Sequence, residues 1–317
     1  MHGFYERNRM EPRVTEDNLR VQGCAVVTGG ARGIGRAVCE SLASAGCNVA
    51  VNHSSAGSAQ IAADFAWSLE ERFGVSARAF EADVSSFEAA ASLLEDAACA
   101  LGPVRVLVNN AGGGSGNGEC NFLKRDPAAI KNMIDVNLTG ALYCCRAVCG
   151  YMAEAHHGCV INMASIAALV GRDRAMYHDS NKMEQPVEYA AAKGGIISMT
   201  QDLAAYMAPY GVRVNCISPG GFDKGDLPEA FTKAYGAATP LGRMGKMGEE
   251  IKGAALFPRV DVKKELEALS GGTEEAPEKE EKKPEKKAEA PKAEEAKAEI
   301  ATFDEDHVYD QTDSQGF

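Results

Sequence analysis

The chain contains no run of about 18 consecutive apolar residues, and its opening stretch, Met1 to Arg20, is charged where a secreted protein would carry an apolar signal core. Neither membrane insertion nor secretion is expected. The ten cysteines form no pair of CxxC motifs, and their scatter through apolar segments fits a reduced, cytoplasmic protein without a metal. Cys144, Cys145 and Cys149 cluster on one helical segment, the six histidines show no ligand spacing, and His156 and His157 fall near a helix end. A basic stripe with interleaved aromatics is also missing, so nucleic acid is not a natural partner of the main body of the chain.

What is present suffices for a sizeable core: 317 residues, 45% of them hydrophobic, fit one large α/β domain or two smaller ones, and one domain plus a tail fits best. The net charge of −12 is uneven. Arg259 to Phe317 holds ten basic and eighteen acidic residues, which puts −8 in the tail and leaves the rest mildly acidic. Strand signals at Cys24 to Thr28, Asn48 to Val51, Ser76 to Phe80, Val104 to Val108, Cys159 to Met163 and Val212 to Ile217 alternate with helical stretches near 33–45, 57–73, 86–101, 126–155 and 187–209. This is the spacing of βαβ units, and right-handed crossovers convert it into a doubly wound parallel sheet.

Tyr189 and Lys193 stand four residues apart in the helix-forming stretch YAAAK, which places both side chains on one face. A free tyrosine titrates at about 10, so a phenol exchanges protons near neutrality only if a cation stabilises its phenolate. Lys193 could be that cation. Upstream, Val26 and Val27 run into Thr28, Gly29, Gly30, Ala31, Arg32, Gly33, Ile34 and Gly35, followed by a helical pattern from Ala37 to Ala45. Glycines at 29, 33 and 35 let backbone approach a pyrophosphate, and the helix N-terminus offers it unpaired N–H groups. A second strand ends in Asn109, Asn110, Ala111 and Gly112, and another in Ser165, while Asn137 lies in a long helical stretch. In an open parallel sheet Thr28, Asn110 and Ser165 should converge at the strands' carboxyl ends.

The ordered motifs TGGARGIG, NNAG and YAAAK, with the strand-end serine, resemble the short-chain dehydrogenase/reductase family over roughly residues 20 to 257. The resemblance implies a Rossmann-like sheet flanked by helices and a homo-oligomeric enzyme. It implies hydride transfer between a nicotinamide and a carbonyl or secondary alcohol, as in 3-oxoacyl-carrier-protein reductases or sugar and sugar-acid dehydrogenases. Tyr189 would exchange the proton, Ser165 hold the substrate oxygen, Lys193 lower the Tyr189 pKa and bind the nicotinamide ribose, and Asn137 hold a water linking Lys193 to solvent. The cofactor would contact Thr28, Gly29, Arg32, Gly33, Ile34, Gly35, Asp83, Val84, Asn110, Ala111, Gly112, Tyr189, Lys193, Pro219 and Gly220. Asp83 would meet the adenine, although an acid there could equally cap the next helix. NAD-preferring folds place a carboxylate at the end of the second strand, where Asn52, His53, Ser54 and Ser55 supply none, and Arg32 could reach a 2′-phosphate. NADP(H) is therefore expected over NAD(H).

The sequence departs from that family in three places. Ser165 and Tyr189 are 24 positions apart, about twice the usual interval, so an insertion lies around Gly171 to Glu184, with Arg172, Asp173, Arg174, His178 and Lys182 in it. Such a loop could recognise an anionic or polyhydroxylated substrate, or serve as surface or interface. After Pro219 and Gly220, Gly221 to Lys224 lacks the threonine of the family's cofactor loop. Beyond Phe257 the last family strand is missing, with only Arg259 to Val262 as a substitute, which would leave the sixth strand's edge uncovered. The segment Gly271 to Glu299 has too few apolar residues to offset ordering entropy and should be disordered or transiently helical. LFPRVDVKKELEALSG with its charged linker and FDED looks like the connector of bacterial methionyl-tRNA synthetases, which suggests a fusion, a recombination or an assembly artefact and carries no catalytic motif. Two alternatives stay open: a cofactor-binding protein of impaired catalysis with an interaction tail, and a synthetase-associated tRNA-binding appendage.

Overall fold

The computed structural model describes residues 23–113, 119–180 and 184–256. The expected N-terminal extension (1–20), Lys182 of the insertion, Phe257, the substitute strand Arg259 to Val262 and the rest of the 258–317 tail lie outside the described residues.

Six parallel strands carry the structure: β1 (Cys24–Val27), β2 (Asn48–His53), β3 (Ala77–Glu81), β4 (Val104–Asn109), β5 (Gly158–Met163) and β6 (Val212–Ile217), in the order β3-β2-β1-β4-β5-β6. The chain leaves β1 toward β2 and β3 on one side, then returns to place β4 on the other, so a crevice forms where the order reverses. β1 pairs in register with β2 (Val26 with Ala50) and with β4 (Val26 with Leu107). All four β1 residues are buried because both sheet faces are covered. Alternate residues feed opposite cores: Val27 joins Val38, Leu42, Phe65, Leu69 and Ile161, whereas Val26 joins Leu93, Leu94, Leu107, Val148 and Met207. Among the described residues β6 pairs with β5 alone.

The crossover helices are α1 (Gly33–Ser44), α2 (Ala59–Phe73), α3 (Phe87–Leu101), α4 (Pro127–Ile134), α5 (Gly140–Glu154) and α7 (Val187–Met207). Their ends follow local chemistry: the Ser86 hydroxyl accepts from the Ala89 N–H at 3.2 Å, Asp126 accepts from Ala128 at 2.9 Å with Pro127 at the first position, and Gly74 takes φ 66° at a C-cap. The expected 126–155 helix is continuous but contains one π turn, Asp135–Thr139. Such turns concentrate at functional sites, and this one holds Asn137.

The insertion folds into more than a loop. It contains the short helix α6 (Ala175–Asp179), whose Tyr177 stacks on Phe231 of α8 (Glu229–Ala237) at 5.1 Å between ring centroids. Met244, just before the two-residue strand β8 (Gly245–Lys246), joins this cluster, and β8 pairs with β7 (Phe222–Asp223). The helix α9 (Ile251–Leu256) closes the described chain against α1, where the Ser41 hydroxyl donates to the Lys252 carbonyl at 3.0 Å. All ten cysteines fall within the described residues; eight are buried, Cys216 is half-buried and Cys99 is exposed. Burial pushes the Cys149 thiol up to about 11 and that of Cys144 to about 12.

Candidate active site

A cavity of about 700 Å³ runs from the glycine turn to Tyr189, across the carboxyl ends of β1, β4 and β5. Gly29, Arg32, Gly33, Ile34, Gly35, Asn110, Ala111, Gly112, Ser165, Tyr189, Lys193, Pro219 and Gly220 all line it.

At one end the turn after β1 delivers the N-terminus of α1. Its N-cap, Arg32, makes no side-chain capping bond, so the first N–H groups of α1 have neither an intrahelical acceptor nor a cap. Gly33 has φ 54°, and a Cβ there would find nothing within 4 Å, which leaves backbone open to the cavity. Gly35 does a different job, since its Cβ would lie 2.4 Å from the Gly29 carbonyl oxygen and 2.5 Å from Asn110 Nδ2. The cradle thus suits a pyrophosphate. Asn110 Nδ2 braces it by donating to the carbonyls of Thr28 (2.9 Å) and Gly29 (3.1 Å).

Three expected contacts are placed elsewhere. The Thr28 hydroxyl accepts from the N–H groups of Asn110 and Ala111, each at 2.9 Å, and donates to the Val108 carbonyl at 3.3 Å. It joins two strand ends inside the protein and does not line the cavity. Asp83 accepts from the N–H and hydroxyl of Ser85 at 3.0 and 2.7 Å, closing its own turn before α3, and Val84 is buried against Gly140. At the end of β2, Asn52 accepts from the Gly29 N–H at 3.1 Å and His53 pairs with the Ser55 carbonyl at 3.1 Å; β2 itself ends without a carboxylate, and the adjacent acid is Glu81 of β3, which pairs in register with His53.

At the other end Ser165, directly after β5, lines the cavity beside the Tyr189 phenol, and its hydroxyl pulls the phenol's pKa down. The same hydroxyl accepts from the Ala167 N–H at 3.1 Å, so it both caps its loop and reaches across to α7. Buried positions Glu188, Ala192, Ile196 and Thr200 recur every fourth residue along α7, which fixes the helix's rotation. Asn162 Nδ2 locks that rotation to the sheet through the Thr200 hydroxyl at 2.9 Å, and Asn109 Nδ2 continues the chain to Asn162 Oδ1 at 2.8 Å.

The expected acidification of Tyr189 by Lys193 is corrected by the geometry. The Lys193 ammonium is anchored to the Met163 carbonyl at 2.8 Å and stands 5.8 Å from the centre of the Tyr189 ring. Burial holds the phenol above its usual value, and the groups that pull it back are the Ser165 hydroxyl and the Arg172 guanidinium. Lys193 itself is buried, and loss of hydration lowers its pKa from 10.5 to about 8. Between those values the unfolded chain binds a proton that the folded chain has released, so this residue's contribution to stability rises with pH. In cofactor-free urea titrations the stability of wild type relative to Lys193→Met should therefore increase from pH 8 to pH 10.5, by roughly 3 kcal/mol at full effect. A difference that stayed flat would show Lys193 to be hydrated.

Asn137 donates from Nδ2 to the Met133 carbonyl at 3.1 Å and to that of Gly113 at 3.5 Å. Its Oδ1 is buried without a hydrogen-bond partner among the described residues, an acceptor facing the NNAG loop. A Cβ on Gly112, where φ is 131°, would lie 2.2 Å from that oxygen. Sequence reasoning did not find the Arg125–Glu188 pair, 2.7 Å apart and with both side chains buried, at the residue before Tyr189. Nor did it pair the Tyr235 hydroxyl with the Gly221 N–H, 2.5 Å away, which caps the loop that lacks the family threonine.

The model of the family described as short chain dehydrogenase matches residues 23–235. The chain belongs to this family. It is 32% identical over 241 residues to a cis-4-hydroxycyclohexanecarboxylate dehydrogenase of Sinomonas cyclohexanicum, covering 75% of this chain and 89% of that protein. It is 31% identical to a 3-oxoacyl-acyl-carrier-protein reductase of Aquifex aeolicus, covering 75% and 91%. A crystal structure assigned as a short-chain alcohol dehydrogenase from Sinorhizobium meliloti superposes with a TM-score of 0.66 at 32% identity, covering 76% of this chain and 90% of that one. At the level of this family the protein is an NAD(P)-dependent oxidoreductase that acts on small molecules. Among the described residues no helix is long and apolar enough to cross a membrane.

Proposed function

We propose that the protein catalyses reversible oxidation of a secondary alcohol to a ketone, with NADP(H) as the preferred cofactor, in a cytoplasmic homo-oligomer. The observation that carries this reading is that Ser165, Tyr189 and Lys193 share one wall of the cavity that begins at the glycine turn. The backbone at Gly33 to Gly35 and the α1 N-terminus would hold the pyrophosphate, and Lys193 would hold the nicotinamide ribose with the donors that Met163 leaves unused. When bound, the nicotinamide supplies or accepts the hydride.

The chain's own residues manage the proton and the position of the reacting oxygen. Ser165 donates to the substrate oxygen and keeps it beside the phenol. Tyr189 gives that oxygen a proton during reduction and takes it back during oxidation. The dehydrated Lys193, titrating at about 8, is suited to relay the proton onward at neutral to mildly basic pH, and the unpartnered Asn137 Oδ1 offers a water its next acceptor. Substrates of either the ketoacyl thioester or the keto sugar type would enter between α6 and α8. A panel of both types, widened to simple secondary alcohols, ketones and hydroxy acids and followed by the absorbance of the reduced nicotinamide, tests the reading; absence of turnover across the whole panel with either cofactor would refute it.

The cofactor preference rests on charge. β2 itself ends in Asn52 and His53 with no acid, and Arg32, exposed at the start of α1, has its guanidinium available for a 2′-phosphate. Arg32→Ala should reduce the ratio of kcat/KM for NADPH over NADH by about tenfold or more, the scale of a charge-assisted hydrogen bond. An unchanged ratio would remove Arg32 from the assignment.

A further inference from the structure

Arg172 lies in the lengthened segment between Ser165 and Tyr189, half-buried, and lines the same cavity as the phenol. Its guanidinium is clamped by two neutral acceptors on the chain entering α7: Nη1 donates to Gln185 Oε1 at 2.7 Å and Nη2 to the Pro186 carbonyl at 3.0 Å. The acids close by in sequence are engaged elsewhere. Glu184 binds Arg174 and, at 2.6 Å, His178, while Asp173 accepts from the Ala175 N–H at 2.9 Å. Among the described residues no carboxylate forms an ion pair with Arg172. A guanidinium has five N–H donors in one plane, so two fixed bonds orient it and leave donors for a bidentate anion. Burial and the nearby Arg174 disfavour its charged form, a cost that a bound anion would relieve.

Asp173, Gln185, Lys224 and Thr239 also line this cavity, and beside them stands an apolar wall. Tyr177, Phe231 and Met244 form a buried cluster with Leu227 and Tyr235 packed on it. Ring faces and a thioether reward a compact hydrocarbon body and give few partners for the several hydroxyls of a sugar, which would be left unpaired on entry.

Resting on the oxidoreductase reading above, we propose that Arg172 binds a substrate carboxylate, and that the substrate class is a secondary hydroxy acid, or its keto acid, with a compact saturated body. The carboxylate lies against the guanidinium, the body against the Tyr177–Phe231 wall, and the carbinol at Ser165 and Tyr189.

Initial rates on the full chain with 4-hydroxycyclohexanecarboxylate and with its methyl ester test this. Wild type should favour the acid by tenfold or more in kcat/KM. Arg172→Gln should lower kcat/KM for the acid by about tenfold to a hundredfold more than for the ester, the extra loss falling mainly in KM, while any loss common to both reports the guanidinium's effect on the Tyr189 phenol. Arg172→Lys, a point charge without the planar fork, should recover part of the loss. Cofactor binding, followed by nicotinamide fluorescence, should match wild type in both variants. Equal rates on acid and ester by wild type, or equal losses on both in Arg172→Gln, would overturn the inference. If neither compound reacts while other ketones do, this inference fails and the oxidoreductase reading survives; if no alcohol or ketone reacts at all, both fall.

Discussion

Tyr189→Phe should lower kcat by about 10³-fold, within the range of about 10²–10⁴ associated with a positioned general acid or base. The substitution deletes one oxygen and keeps the ring, so the contact with Lys193 and the packing of α7 survive. Cofactor affinity should remain within about twofold of wild type, because the glycine turn and the α1 N-terminus are untouched. Stopped-flow traces with reduced cofactor and any accepted ketone would separate binding from the chemical step. A variant retaining most of its turnover would show that another group delivers the proton, and the roles given to Ser165 and Lys193 would fall with that of Tyr189.

The second large effect is on stability. Arg125→Met should cost about 3–5 kcal/mol, the scale seen when one partner of a buried ion pair is removed. Arg125 Nε donates to Glu188 Oε1 at 2.7 Å with side-chain exposures of 1% and 5%, and Nη1 ties the Glu119 carbonyl at 2.8 Å. The other Glu188 oxygen, Oε2, is buried without a hydrogen-bond partner among the described residues, so the carboxylate depends heavily on this arginine. Urea unfolding of Arg125→Met, Glu188→Leu and the double variant would isolate the interaction. The double variant should be markedly more stable than Arg125→Met, since it no longer strands a charge away from water. If Arg125→Met unfolds with the wild-type midpoint, the pair is hydrated in solution. Glu188 immediately precedes Tyr189, so a loosened pair should also reduce kcat under conditions where the protein stays folded.

The sheet was legible because its signals are local. Apolar runs of strand length alternated with helical stretches, and each of the six expected strands lies within two residues of an observed one at both ends, as at Val212–Ile217 where both ends coincide. The Tyr189–Lys193 spacing and the glycine turn were legible for the same reason: four residues make one helical turn, and the glycines sit where backbone must approach backbone or ligand. Roles that depend on distant partners were not. The Thr28 hydroxyl meets strand-end groups 80 and more positions away, Lys193 a carbonyl 30 away, and Arg125 an acid 63 away. No local spacing encodes those pairings. Lys193 illustrates the difference well, because the sequence offered its charge to the phenol while the fold gave it a carbonyl and withdrew its water. The insertion read as polar, and Arg172, Asp173, Arg174 and His178 are indeed at the surface or in the cavity; Tyr177 and its seat on Phe231 became apparent only when α6 and α8 met.

The placement of sulfur has a practical consequence. Thiolates, not thiols, attack alkylating reagents, and the dehydrated cysteines of the two cores are held in the unreactive form. Cys99, on the outer side of α3, is the open one of the ten, which gives the native protein a built-in attachment point for a dye or spin label. Labelling there leaves the interior sulfurs as silent reporters that become alkylated only on unfolding.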